Sequence, residues 1–542
     1  MSCGGLGSKE GEATLIGPDQ LAPVVRDALV RADLPDREPA FERPRQREHG
    51  DWSTNVALTL AKPVGRPPRA IAEAIVEQLR GVDGIASVNV AGPGFINFHV
   101  AQDALGGVVR QIVEAGARWG RSQRVTGAID VEFVSANPTG PLHMGHGRQA
   151  VIGDALANLF DAIGWDVTRE YYFNDAGRQM RMFRDSVAAV AAGEEPPTDG
   201  YHGTYISEVV EEIQQAGGSE DLGEAAYERI LTRIIATLDR LGVHFDVYFG
   251  ERSLHPDGVA KAIAAFGGHV YEADGATWLR TTDFGDDKDR VLIRADGEPT
   301  YFAADCAYMA DKFGRGFDRL VYVLGSDHHG YIGRLQAVAD ALGHGRDRVE
   351  IVMHQFVNLF RAGQPVRMSK RTGEMVTFDE LLDEVGTDAA RYTFLRYSGD
   401  VPIDFDLAAV VQADRANPVY YVQYSSARIA GIMRTANEAG LAPTDVAEAD
   451  MALLDSPVEQ ELIRVLSEYP EVVALAADER APQRVARYVE RTAEQFHRFY
   501  TECQVVGTDE GLSTARYWLV VATRRTVVNA LGLLGVTAPE RM

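Results

Sequence analysis

The sequence predicts an α/β protein: a doubly wound parallel sheet with insertions, preceded by a small α+β domain and followed by an all-helical bundle. Three observations carry that prediction. Between about Gly116 and Asp400, strand-like and helix-like segments alternate, the pattern of a parallel sheet crossed by helices. Between Leu15 and about Val100, two helical stretches precede two short β-like runs. From Asp414 onward, apolar residues recur three and four apart in long helical patterns with no clear strand. A chain of 542 residues has room for about two to four such domains.

In chain order, residues 1–12 are glycine-rich and expected to be disordered. The first domain is expected over 13–115. It has helices at Leu21–Ala32 and Ile71–Leu79, β-like runs at Ile85–Val90 and Phe95–Val100, and a basic, proline-containing loop at Arg43–Arg47. The central domain is expected over 116–410, with buried β-like runs at Ile129–Val134, Leu320–Leu324 and Val349–Val352. Residues 187–298 read as insertions into that sheet, helical at Tyr205–Gln214 and Glu224–Leu241. The bundle, 411–542, shows helical patterns at Tyr420–Ile432, Ser456–Ala476, Ala481–Tyr500 and Ser513–Leu534. Arg484, Arg487, Arg491 and Arg498 line one side of the third, which for any single arginine describes a solvated face.

Composition narrows the function classes. A net charge of −25 argues mildly against a nucleic-acid partner, although a sum over the chain does not exclude a local basic groove. No apolar run approaches membrane length, and the N-terminal residues carry no export pattern. Cys3, Cys306 and Cys503 are few and scattered, as suits reduced thiols. A cytoplasmic protein without a membrane partner is expected.

The chemistry concentrates at Ile129–Phe160. A short β-rich run ending beside Glu132 breaks at Asn137-Pro138-Thr139-Gly140-Pro141 and enters a helical pattern through Val151, Ile152, Leu156, Leu159, Phe160 and Ile163, with Gly164 as its stop. His143-Met144-Gly145-His146 therefore falls at a helix start, where free N–H groups and the dipole suit phosphate. Gly145 and Gly147 would let a nucleotide approach the backbone, and two imidazoles three apart can donate to phosphate oxygens. A metal site is disfavoured, because no further His or Cys lies at ligand spacing. About 220 residues on, a polar, turn-prone stretch holds Arg367-Met368-Ser369-Lys370. Either motif alone is weak; the ordered pair is specific.

Together these motifs resemble the two signatures of class I aminoacyl-tRNA synthetases. The stretches VEFVSANPTG, YFNDAGRQ (Tyr172–Gln179), TTDFGDDKDRVLIRADGEPTY, LGSDHHGYI and the final PERM are similar to the arginyl-tRNA synthetase family over nearly the whole chain. The resemblance implies a Rossmann-type catalytic domain, an N-terminal domain that touches tRNA, and an anticodon-binding bundle. Family members often carry Asp-Ala-Leu-Arg before that bundle; here Asp388-Ala389-Ala390-Arg391 stands in its place. It further implies ATP with Mg²⁺, L-arginine and arginine tRNA as reaction partners, and a monomeric enzyme.

The same resemblance supplies roles. His143, Gly145 and His146 would hold the triphosphate, and Lys370 would neutralise the leaving pyrophosphate from a mobile loop; Arg367, Met368 and Ser369 of the same loop would also belong to the ATP site, Ser369 bonding phosphate or shaping the turn. Arg367 stands where the class signature has Lys, keeping the charge but changing the donor's shape. Gly325 and Asp327, after the Leu320–Leu324 run, would take the ribose at a C-terminal strand edge. Glu132 and Asp305 would fix the arginine guanidinium, with Tyr301 four residues before Asp305 and on its face if that stretch is helical. Ser135, Asn137 and His143 complete the implied arginine site.

Three other readings compete. A different class I synthetase is disfavoured by the paired acids and the lack of cysteine clusters. A small nucleotidyltransferase would not need the bundle or the Met-Ser-Lys motif. A non-catalytic RNA-binding relative would be expected to lose His143, His146 or Lys370.

Overall fold

The computed structural model describes residues 17–44, 46–175, 177–366, 376–414, 417–441 and 445–542. At its centre lies a five-stranded sheet in which every neighbouring pair is parallel. The spatial order is Val349–His354, Arg319–Gly325, Ala128–Glu132, Asp166–Phe173 and Val247–Gly250. From Ala128–Glu132 the chain first builds outward through Asp166–Phe173 to Val247–Gly250, then returns to add the other two strands on the opposite side. The order reverses between Ala128–Glu132 and Arg319–Gly325, and ligands of open parallel sheets bind at the carboxyl ends beside such a reversal. Glu132, Gly325 and His354 all end strands on that edge.

The apolar pattern after His143 becomes the helix Met144–Ile163, which Gly164 ends at a φ of 114°. It is buried on almost every side because it packs on the sheet and against helices from the bundle. Two apolar clusters cover the two faces of the sheet. One includes this helix and the inserted helices Thr204–Gln215 and Leu222–Arg240; the other includes Asp257–Ala265 and Tyr301–Gly314.

The span 187–298 needs one correction: Val247–Gly250 is an edge strand of the main sheet and not inserted material. At four residues it is too short to show a period, so only its parallel pairing with Asp166–Phe173 reveals it. The reading of Ser456–Ala476 as one helix is also corrected. Pro457–Ser467 and Tyr469–Asp478 are separate helices that meet at Glu468. Pro470 lacks an amide hydrogen and fits only the first turn of a new helix.

The N-terminal domain forms a four-stranded antiparallel sheet in the order Phe41–Glu42, Trp52–Thr54, Phe95–Val100, Ile85–Ala91. Its apolar side is not closed locally. Leu21, Ile71 and Phe98 belong to one continuous core with Ile429, Leu462, Phe496 and Leu519 of the bundle. The helix Gln102–Ala115, which opens the connection to the central sheet, packs on the bundle helices Pro457–Ser467 and Glu510–Leu533. Among the described residues no strand follows Asp406, and no helix is long and apolar enough to cross a membrane.

Candidate active site

His143 caps the Met144–Ile163 helix with its own ring, Nδ1 accepting from the Gly145 amide at 3.1 Å. The His143 amide in turn donates to His146 Nδ1 at 3.3 Å, and the two rings stack with centroids 3.7 Å apart. With each Nδ1 engaged as an acceptor, a neutral imidazole carries its proton on Nε2. The helix start thus brings two ring N–H donors together beside its positive dipole end, groups of the kind that suit phosphate oxygens.

A cavity of about 820 Å³ opens beside this pair. Its lining brings together Ser135, Asn137, His143, Gly145, His146, Gly325 and Asp327, seven residues singled out from the sequence. Its far wall is Gln355, Phe356 and Val357, just past the Val349–His354 strand. Gly325 leaves room for the Asp327 carboxylate, since a Cβ there would lie 2.5 Å from Asp327 Oδ1. Gly147 is a correction: its missing Cβ admits the Phe378 ring, which would otherwise come within 2.1 Å, and it does not line the cavity. Arg367, Met368, Ser369 and Lys370 lie outside the described residues.

Glu132, Tyr301 and Asp305 do not line that cavity. They belong to a second group at the same sheet edge. Tyr301–Gly314 is a helix, so Tyr301 and Asp305 share a face, Tyr301 half exposed and Asp305 beneath it. Burial, then Glu251 and Glu132, push the Asp305 carboxyl up to about 7. Glu251, 5% exposed, accepts from the Tyr172 hydroxyl at 2.8 Å. Glu132 accepts from Ser135 Oγ at 3.0 Å and from Lys312 Nζ at 2.8 Å. Lys312 is wholly buried; burial opposes its charge, yet Asp130 and Glu132 hold the ammonium well above its ordinary value. Three carboxylates thus crowd one region, with the buried Lys312 ammonium shared between Glu132 and Asp130 and the Arg334 guanidinium near enough to favour the ionised form of Asp305; the acids still outnumber the cations, a balance that a bound guanidinium would offset.

Sequence reasoning missed Glu251 and Lys312. Glu251 follows a four-residue strand with no motif around it, and Lys312 sits on a helix where lysine ordinarily reads as surface. For Lys312 a signal was available: it lies seven residues after Asp305, two helical turns along the same face.

Both groups hang on one loop. After Phe133 the backbone enters the left-handed region at Val134 (φ 69°) and Ser135 (φ 41°), a costly conformation for a β-branched residue and one that concentrates at ligand sites. Neighbours over-determine it. Tyr171 donates to the Ala136 carbonyl at 2.7 Å, Asn137 Oδ1 accepts from the Asn174 amide at 3.1 Å, and Asn137 Nδ2 donates to Gln179.

Comparison with known proteins gives the family. A model described as arginyl tRNA synthetase N terminal domain matches 19–100; one for tRNA synthetases class I (R), catalytic domain, matches 108–195 and 206–430; and one for the DALR anticodon binding domain matches 422–542. An arginine–tRNA ligase of Frankia alni is 47% identical, with 97% of this chain and 99% of the relative aligned. The corresponding protein of Kineococcus radiotolerans is 46% identical over 97% of this chain and all of its own length. The structure of Thermus thermophilus arginyl-tRNA synthetase, 23% identical, shares the fold with a TM-score of 0.78 over 97% of this chain and all of that one. On the full-length identity and the three matched domains, the chain belongs to the arginine–tRNA ligase family of class I aminoacyl-tRNA synthetases.

Proposed function

We propose that this chain joins arginine to its tRNA in two steps, with ATP in the histidine-lined cavity and the arginine side chain among Glu251, Asp305 and Tyr301. The observation that carries the reading is the adjacency of the two sites. Ser135 and Asn137 line the nucleotide cavity, and Ser135 also bonds Glu132 of the acid group. An arginine whose guanidinium meets Asp305 and Glu251 would then lay its amino end against Glu132, Ser135 and Asn137. Its carboxylate would face the α-phosphate beside His143. Glu132, already held by Lys312 and Ser135, suits the amino end better than the guanidinium expected from the sequence.

In the first step the carboxylate oxygen bonds to the α-phosphorus as the bond to the bridging oxygen of pyrophosphate breaks. The protein supplies placement and charge stabilisation and forms no bond of its own. His143 and His146 donate to phosphate oxygens as negative charge shifts onto them. Magnesium, brought with the triphosphate, would offset its negative charge. Lys370 meets the departing pyrophosphate; supporting this, Phe378, eight residues further along the sequence, donates its amide to the Leu142 carbonyl at 2.9 Å, next to His143. In the second step a hydroxyl of the terminal adenosine of tRNA attacks the activated carbonyl and AMP leaves. Asp327 and Gly325 take the ribose, and the bundle takes the anticodon. Paired acids reject a neutral isostere of arginine, because a buried carboxylate would be left unmatched.

The same reading gives a cytoplasmic monomer, in keeping with the unpaired, buried Cys306 and Cys503. The test is arginine-dependent exchange of pyrophosphate into ATP, with and without arginine tRNA, on enzyme that sediments at one chain's mass. Exchange with arginine but not with citrulline is expected. No exchange in any mixture overturns the function, and sedimentation at twice the mass overturns the monomer.

A further inference from the structure

Of the sequence Tyr201-His202-Gly203-Thr204-Tyr205, Tyr201 lines the nucleotide cavity, while Tyr205 touches neither substrate group and bonds instead to the loop that carries both. The helix Thr204–Gln215 lies in the inserted part of the chain and packs on its neighbours through Ile206, Val209, Val210 and Ile213. From its first turn, Tyr205 donates to the Thr139 carbonyl at 2.8 Å. Thr139 stands between Asn137, on the arginine side, and His143, on the ATP side, and its amide donates to the Asn137 carbonyl at 2.8 Å. The hydroxyl therefore holds the loop between these two residues, while the buried Tyr171 holds it at Ala136.

The local sequence is built for this contact. Gly203 caps the helix at a φ of 139°, and a Cβ there would lie 2.9 Å from the Tyr205 ring. Gly140 lies close under the hydroxyl, 3.4 Å from where its own Cβ would be. Tyr201 is fixed in its turn, its amide donating to Ser186 Oγ at 2.9 Å and its ring set edge-on to Phe183, and it faces the nucleotide cavity.

We propose that Tyr205 is a positioning residue for the reaction, delivered by the inserted helix, whose hydroxyl sets Asn137 and His143 at the separation at which arginine's carboxylate meets the α-phosphate. This rests on the placement of arginine by Asn137 and of ATP by His143. Because Tyr205 touches neither substrate, its loss should misalign two bound reactants rather than weaken either, and misalignment is expressed in kcat.

Tyr205→Phe keeps the ring and removes one hydrogen bond. The expected result in arginine-dependent pyrophosphate exchange is a fall in kcat of about tenfold, with each KM within about threefold and Tm lowered by less than about 2 °C. Gly203→Ala, which displaces the same ring, should reproduce that split. Unchanged kcat in both variants, or a loss carried by KM alone, or a kcat loss matched by a large fall in Tm, overturns the proposal. Asn137→Ala separates this from the underlying placement. If it leaves the KM for arginine unchanged, the substrate assignment fails; if it raises that KM while Tyr205→Phe turns over normally, the positioning role fails.

Discussion

The two ends of the proposed active site hold charge in opposite ways. At its arginine end Glu132 and Glu251 are buried and Asp305 is half-buried, and burial together with the neighbouring acids pushes the Asp305 carboxyl up to about 7. At the nucleotide end the groups are stacked imidazoles, helix amides and Asp327, whose side chain is 64% exposed. A buried carboxylate left unmatched costs its full desolvation, whereas a carboxylate in water has an alternative partner at hand. The first end can therefore select sharply, and the second can bind and release a nucleotide in each cycle.

The largest expected effect follows from removing charge at the buried end. Asp305→Asn should lower kcat/KM for arginine by about 10²- to 10³-fold, the range seen when a buried charged pair loses one member. The KM for ATP should stay within about threefold; an equal loss for both substrates would abolish the distinction drawn here.

A middle effect comes from protons. Asp305 sits near 7 without arginine, and a bound guanidinium would draw it lower, so binding near neutral pH should release a fraction of a proton. The sign is fixed: the ionised acid binds, so affinity for arginine should fall as pH drops below about 7 and level off above it. Calorimetry in buffers of different ionisation enthalpy measures the release. Proton uptake, or the same pH slope in Asp305→Asn, would place the titration elsewhere.

The smallest effect belongs to the exposed end. Asp327→Asn should raise the KM for ATP by only about fivefold and leave arginine binding unchanged, as expected for one solvent-facing hydrogen bond. A loss of a hundredfold would mean that Asp327 is desolvated once ATP is bound, and the contrast would narrow.

Much of the nucleotide end was legible in the sequence because its signals are local. A strand, a turn-forming run and an apolar period of three and four put His143 and His146 at a helix start, and the fold agrees. Asp305 was legible only through the family resemblance; its spacing from Tyr301 gave the shared helix face, which the fold shows. Glu251 was not, because the residues it faces, Tyr172 and Asp305, lie tens of residues away on other elements. Lys312 and Gly147 mislead for a related reason. A lysine can be interior when acids surround it, and a glycine in a motif can serve an aromatic ring 231 positions later. The edge strand Val247–Gly250 shows the same limit, since pairing and not periodicity defines it.

The continuous core joining the first domain to the bundle has a consequence for biosynthesis. Leu21, Ile71 and Phe98 are made roughly 400 residues or more before Phe496 and Leu519, which complete their packing. The N-terminal domain must therefore travel through that stretch of synthesis with an apolar flank uncovered, and such flanks invite association between nascent chains. Its burial waits for the Glu510–Leu533 helix, so a truncated product lacking that helix would leave the ribosome with the flank still exposed, marked for chaperones and proteases.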